Sequence, residues 1–173
     1  KTYTPTGRHD EYLLFGSGGH SGQVVVVGLP SMRILKYIAV FTPEPWQGYG
    51  FDDQSKALLA SGRRHDHDLT WADTHHPALS ETKGDYDGRW LFVNEMNGRI
   101  ARIDLRDFKT RQILGPVANI SGNHGSTFIT PNSEYVIMSS RFPIPIPKGT
   151  AASIDRFATE YKGVAAGIKV DPK

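Results

Sequence analysis

Apolar residues along the 173-residue chain come in short runs of strand length, separated by glycine, proline and polar residues. Residues 11–15 predict a first strand. Residues 23–28, which hold four successive valines, predict a second. Residues 33–40 alternate imperfectly and predict a third, and the short apolar run 56–60 predicts a fourth. After a long polar stretch the pattern returns, with strands predicted over 89–94, 99–105, 109–114, 126–129 and 134–139. Asn97-Gly98 between two of these runs is a strong hairpin signal. In 141–147 proline occupies every other position, which fits an extended connector or an edge and not a central strand. Residues 155–161, with Ser153 ahead of them, predict a short helix. Residues 62–88 are polar, rich in His and Asp and poor in strand signals, so they read as an inserted loop of the kind that carries function.

An internal echo organises these strands. Tyr12-Leu13-Leu14-Phe15, Gly22-Gln23-Val24 and Met32-Arg33-Ile34-Leu35 match, in order and kind, Trp90-Leu91-Phe92-Val93, Gly98-Arg99-Ile100 and Lys109-Thr110-Arg111-Gln112-Ile113. The offset of about 77 residues exceeds one propeller blade of about 40–50, so an insertion or an irregular blade must lie between the two copies. Repeated groups of short antiparallel strands with glycine turns predict an all-β chain forming part of a β-propeller. A β-sandwich and a mixed α+β fold are the competing architectures. A chain of this length supplies two to three blades, so it is expected to be one piece of a larger body. The start at Lys1, without Met or a signal-like segment, fits a processed or fragmentary chain.

Composition narrows the partners. Lys and Arg number 20 against 18 Asp and Glu, a net charge of +2 with the basic residues dispersed, which argues against a nucleic-acid partner. No apolar run reaches the length of a membrane span. The absence of cysteine removes disulfides, thiolate metal sites and cysteine nucleophiles from this chain.

The candidate chemistry lies in the histidines, since imidazole is a good ligand for copper, zinc, iron and nickel. His75 and His76 stand in Asp73-Thr74-His75-His76-Pro77. Adjacent strand residues point to opposite faces, so the pair serves one metal only if the backbone bends, or serves two metals of one cluster. Asp73 is placed to accept a hydrogen from the second ring nitrogen of a ligand histidine. His124 stands between Gly122-Asn123 and Gly125, where glycine permits a tight turn and close approach to a bulky group. A solvated loop pair and a turn histidine are the competing readings. His65 and His67 form a second candidate pair, with a solvated loop favoured. Asp85-Tyr86-Asp87-Gly88 lacks the spacing of a calcium loop and reads as a polar turn. His20, in Gly18-Gly19-His20-Ser21-Gly22, belongs to no phosphate-loop motif.

Asp73-Thr74-His75-His76-Pro77, followed by Tyr86-Asp87-Gly88-Arg89-Trp90-Leu91-Phe92-Val93-Asn94 and Gly98-Arg99-Ile100-Ala101-Arg102-Ile103-Asp104-Leu105, resembles the nitrous-oxide reductase family. So do Pro30-Ser31-Met32-Arg33 and Phe142-Pro143-Ile144-Pro145. The resemblance covers roughly 13–147 and follows the order of the family's N-terminal region. It implies a seven-bladed propeller holding a tetranuclear copper-sulfide centre bound by seven histidines. His75 and His76 match the first two of these, His124 matches the third, and Asp73 matches an acid beside the cluster. The family usually carries isoleucine or a similar residue where Asn123 stands. His20, His65 and His67 match no ligand.

The resemblance further implies that residues 1–173 are an N-terminal propeller segment. The four remaining histidines, the calcium sites and the C-terminal cupredoxin domain with its binuclear copper would lie elsewhere. The expected partners are the remainder of the propeller, the cupredoxin domain, a homodimer partner and a small electron-donor protein, in the periplasm. Two other functions stay open: a non-catalytic propeller module that binds a partner through its loops, and a mononuclear three-histidine zinc hydrolase.

Overall fold

A computed structural model describes residues 4–42, 52–59, 62–64, 67–69, 72–120, 122–125, 127–145 and 153–170. Three antiparallel sheets follow one another along the chain. The first orders β1 (Tyr12–Ser17), β2 (Gln23–Leu29) and β3 (Arg33–Ala39). A helix α1 (Asp53–Leu59) and a small pair, β4 (Gly62–Arg64) with β5 (His67–Leu69), come next. The second sheet is a four-stranded meander of β6 (Ala78–Thr82), β7 (Asp85–Asn94), β8 (Ile100–Asp104) and β9 (Lys109–Leu114). The third sheet orders β10 (Phe128–Ile129), β11 (Tyr135–Ser139) and β14 (Ala165–Lys169). Between its last two strands lie β12 (Ile144–Pro145), a 3-10 turn at Ile154–Arg156, α2 (Phe157–Glu160) and β13 (Tyr161–Lys162). β12 pairs with β13, so the proline-rich stretch does supply an edge strand.

The all-β expectation holds, and successive up-and-down sheets are the propeller-like arrangement that the repeat predicted. The echo falls on β1-β2-β3 and β7-β8-β9. Period-two side-chain alternation then explains the packing. On β7, Leu91 and Val93 join Val24, Val26, Ile38 and Phe41 in a core between the first and second sheets. Trp90 and Phe92 point the other way, into a core with Ile129, Val136 and Met138 between the second and third. The middle sheet is therefore packed on both faces at its centre, and β7 is buried from Trp90 to Asn94. The end sheets leave apolar side chains uncovered: Leu13, Leu14 and Ile34 on the first, Phe128 and Tyr135 on the third.

Several expectations change. Residues 56–60 were expected as a strand, but Asp53–Leu59 is helical, and residue 60 lies outside the described residues. Gln54, Lys56, Ala57, Leu58 and Leu59 are helix formers, and a short apolar run does not by itself separate the two states. The stretch 62–88 carries β4, β5, β6 and the start of β7. β6 escapes the alternation test because its buried residue is polar: Ser80 donates to the Asp87 carboxylate and accepts from the Trp90 amide. Asp85-Tyr86-Asp87-Gly88 belongs to β7, and the turn lies earlier, at Lys83 and Gly84, both at positive φ. The Asn97-Gly98 hairpin is present, with Met96-Asn97 as its corner, the Gly98 amide donating to the Glu95 carbonyl and Gly98 at φ +85°.

Candidate metal centre

The segment 72–75 has no regular structure of its own, and its backbone is held by both neighbouring sheets. The Ala72 amide donates to the Phe41 carbonyl at 2.8 Å and the Thr74 amide to the Gly19 carbonyl at 2.9 Å. The Thr74 hydroxyl donates to the Gln23 carbonyl, and the Ser17 hydroxyl donates to the Thr74 carbonyl, each at 2.6 Å. On the other side the His75 amide donates to the Asn94 carbonyl at 2.9 Å. Gly22 makes this seam possible. It sits at φ +69°, and a Cβ there would lie 2.6 Å from the Ala72 carbonyl oxygen.

His124 arrives on the loop between the second and third sheets. Its ring lies 4.4 Å from that of His75 and 5.6 Å from that of His76, centroid to centroid. All three histidines line one cavity of about 410 Å³. Asp73, Met96, His20 and Arg141 stand on the same wall. The structure thus brings together the four residues singled out as a site, across 48 positions of sequence between His75 and Asn123. His20 enters the same cavity although no motif pointed to it. His65 lies outside the described residues, as does the side chain of His67, and so does that candidate pair.

His75 is buried, with 8% of its side chain accessible, whereas His76 and His124 are exposed to the cavity. Both of its ring nitrogens are engaged. Nδ1 lies 2.6 Å from the Asn123 carbonyl oxygen and Nε2 lies 2.7 Å from Asp73 Oδ2. A carbonyl oxygen only accepts, so Nδ1 carries a hydrogen, and the Nε2–Asp73 contact holds a second hydrogen between its two atoms. Asp73 sits on a ring nitrogen of His75 as its spacing suggested, but the group that fixes the tautomer is a main-chain carbonyl that the sequence did not flag. The Met96 amide donates to the other oxygen of Asp73 at 3.3 Å.

Three imidazoles on one cavity are a donor set suited to copper or zinc. Among the described residues, however, no three His, Asp or Glu side chains converge on the coordination sphere of a single ion. Nε2 of His75 becomes available to a metal only where Asp73 yields it.

Asn94, and the Glu95–Arg99 pair beyond it, support the site. Asn94, fully buried at the end of β7, donates through Nδ2 to Asn123 Oδ1 at 3.0 Å and to the Gly125 carbonyl at 2.8 Å. Glu95 and Arg99, both fully buried, shape the hairpin that carries Met96, and Arg99 also donates to the Leu59 carbonyl at 3.0 Å. A polar Asn-Glu pair closing an apolar strand was the available signal for both.

Comparison with known proteins gives a consistent picture. No family model matches the chain. The chain is 40% identical over 149 residues to a nitrous-oxide reductase of Pseudomonas fluorescens, an overlap of 85% of this chain and 22% of that protein. It is 37% identical over 149 residues to the nitrous-oxide reductase of Stutzerimonas stutzeri, covering 85% of this chain and 23% of that one. With the nitrous-oxide reductase of Cupriavidus necator the identity is 36% over 172 residues, covering 92% and 26%. The chain thus spans about a quarter of the length of the curated relatives it matches.

Proposed function

Because this chain is homologous to nitrous-oxide reductase over a stretch equal to about a quarter of that protein, we propose that it forms an N-terminal propeller segment of a copper-dependent reductase that converts nitrous oxide to dinitrogen and water. In this reading His75, His76 and His124 are three of the seven histidines that hold a tetranuclear copper-sulfide centre. The remaining four, the calcium sites and a cupredoxin domain with binuclear copper belong to sequence outside 1–173. A homodimer partner and a small electron-donor protein complete the electron path, in the periplasm. No helix among the described residues is long and apolar enough to cross a membrane.

The observation that carries the reading is the convergence of His124 on His75 and His76 in one cavity, with ring centroids 4.4 and 5.6 Å apart. The uncovered apolar faces of the two end sheets support the architecture, since further blades on either side would bury them as the middle sheet is buried. A mononuclear zinc hydrolase requires three nitrogens around one point, and the described residues offer no such group. A multinuclear centre asks less of them.

When bound, a copper-sulfide centre supplies the stored electrons that N–O cleavage consumes. The residues of this chain hold and orient the donors. The Asn123 carbonyl keeps a hydrogen on Nδ1 of His75 and leaves Nε2 as the nitrogen that would meet a metal. Asp73 shares a hydrogen with Nε2 of this buried ring, and a metal held by His75 would take the place of that hydrogen. The seam through 72–75 fixes the backbone from which His75 and His76 project.

The test is copper and sulfide content of the protein at its full natural length, anaerobically purified, with His75→Ala, His76→Ala and His124→Ala. Each substitution is expected to lower copper and change the visible absorption of the centre. Normal loading in all three variants refutes the assignment.

A further inference from the structure

We infer that Asn94 is the positioning residue of this site, holding the His75-His76 segment and the His124 loop in a fixed relation through its amide. The inference rests on the reading of these histidines as metal donors and adds the device that sets their spacing.

Asn94 makes three contacts, each to a segment bearing a candidate donor. Its main-chain carbonyl accepts from the His75 amide at 2.9 Å. Its Nδ2 donates to Asn123 Oδ1 at 3.0 Å and to the Gly125 carbonyl at 2.8 Å, so one amide group brackets His124 on both sides. The amide orientation follows from chemistry. The Gly125 carbonyl only accepts, so the Asn94 atom facing it is Nδ2, and the Asn123 atom that receives its other hydrogen is Oδ1. The loop 122–125 lies outside every sheet and needs such a tie. Its other anchors are the Arg141 amide, which donates to the Gly122 carbonyl at 3.2 Å, and the His75 ring on the Asn123 carbonyl. That second anchor closes a circuit from Asn94 through the His75 backbone, the His75 ring and Asn123 back to Asn94.

The residue type fits a positioning role better than a packing role. Both faces of β7 are apolar where it ends, and an apolar residue would fill the volume without desolvating an amide. Asn94 Oδ1 and Asn123 Nδ2 are buried with no hydrogen-bond partner among the described residues. The Asn94 amide directs both hydrogens of Nδ2 to the histidine loop.

The test uses the chelator-stripped protein at its full natural length and follows carbethoxylation of individual histidines by peptide mass. His20, exposed in the same cavity, serves as the internal control. In Asn94→Leu, His75 is expected to react about tenfold faster relative to His20, because two hydrogen bonds holding its partner loop are gone. His124 is expected to change its rate as its loop loosens. The far-ultraviolet spectrum is expected to stay native. If Asn94→Leu does not fold, Asn123→Ala removes one of the two acceptors, with an expected acceleration at His75 of about threefold. Unchanged His75 and His124 rates overturn the inference. Equal acceleration at His20 also overturns it, since that marks general loosening. A wild-type protein that binds no copper refutes the proposed function yet leaves these metal-free rates to decide the role of Asn94.

Discussion

His75 Nδ1 meets the carbonyl oxygen of Asn123 at 2.6 Å, a contact between the loop preceding the second sheet and the loop preceding the third. Because that carbonyl is part of a main chain tied down by Asn94, it is harder to move than the Asp73 side chain on the opposite nitrogen. The expected outcome in the copper-loaded protein is metal on Nε2 of His75, Asp73 turned aside and the Asn123 contact intact. A crystal structure showing His75 bound through Nδ1 contradicts this order of displacement.

Gly22→Ala is expected to destabilise the protein by about 1–3 kcal/mol. The added Cβ meets the Ala72 carbonyl at 2.6 Å while the backbone stays at φ +69°. Since Ala72 precedes Asp73, copper content should fall along with the denaturation midpoint. Urea unfolding with an unaltered midpoint rules out the strain.

Asp104 provides the pH dependence. Its side chain is 2% accessible, and hydrogen bonds from the Arg106 guanidinium, with Arg111 alongside, hold its carboxyl well below its ordinary value of 3.8. A depressed carboxyl stabilises the folded state fully above the unfolded value and loses that contribution as pH falls through the folded one. Asp104→Asn is therefore expected to lower stability near neutrality and to converge with wild type in strong acid. Parallel urea midpoints across that range would show that the ion pair contributes nothing.

The two faces of the propeller-like stack give a contrast. Leu91, fully buried in the core between the first two sheets, should cost about 2–5 kcal/mol as Leu91→Ala in any form of the protein. Leu14, 49% exposed here, should cost about 0.5 kcal/mol or less as Leu14→Ala in residues 1–173 alone and several times more at full natural length. Equal effects of Leu14→Ala in the two forms count against a neighbouring blade on that face.

Much of this arrangement was legible from residue patterns. The β-branched run 23–28 and the alternation around Leu91 announced strands because each has an apolar side to bury. Asp73-Thr74-His75-His76-Pro77 announced the candidate site because its side chains are unusual in any packing role. β6 stayed hidden because its buried position is Ser80, satisfied by Asp87 and Trp90, contacts that link residues seven and ten positions away. β14 stayed hidden because Ala165, Ala166 and Gly167 have little intrinsic strand preference, and the long antiparallel pairing with β11 supplies what they lack. Asn123 gave no local signal, and Asn94 only that of a polar residue closing an apolar strand, since their importance comes from which carbonyl faces which donor after folding.

The seam through 72–75 separates scaffold from chemistry. The ties of this segment to β7 and to the first-sheet side use its main-chain atoms and the hydroxyl of Thr74, whereas the side chains of Asp73 and His75 reach Met96 and Asn123. The side chain at 76 is thus replaceable without unpicking the structure that presents it, whereas those at 73 and 75 also hold the loops around the cavity. A lineage keeping the seam while losing His76 would retain the same cavity with different contents. For the experimenter, a loss seen on changing His76 reports on ligation, because the platform beneath it survives.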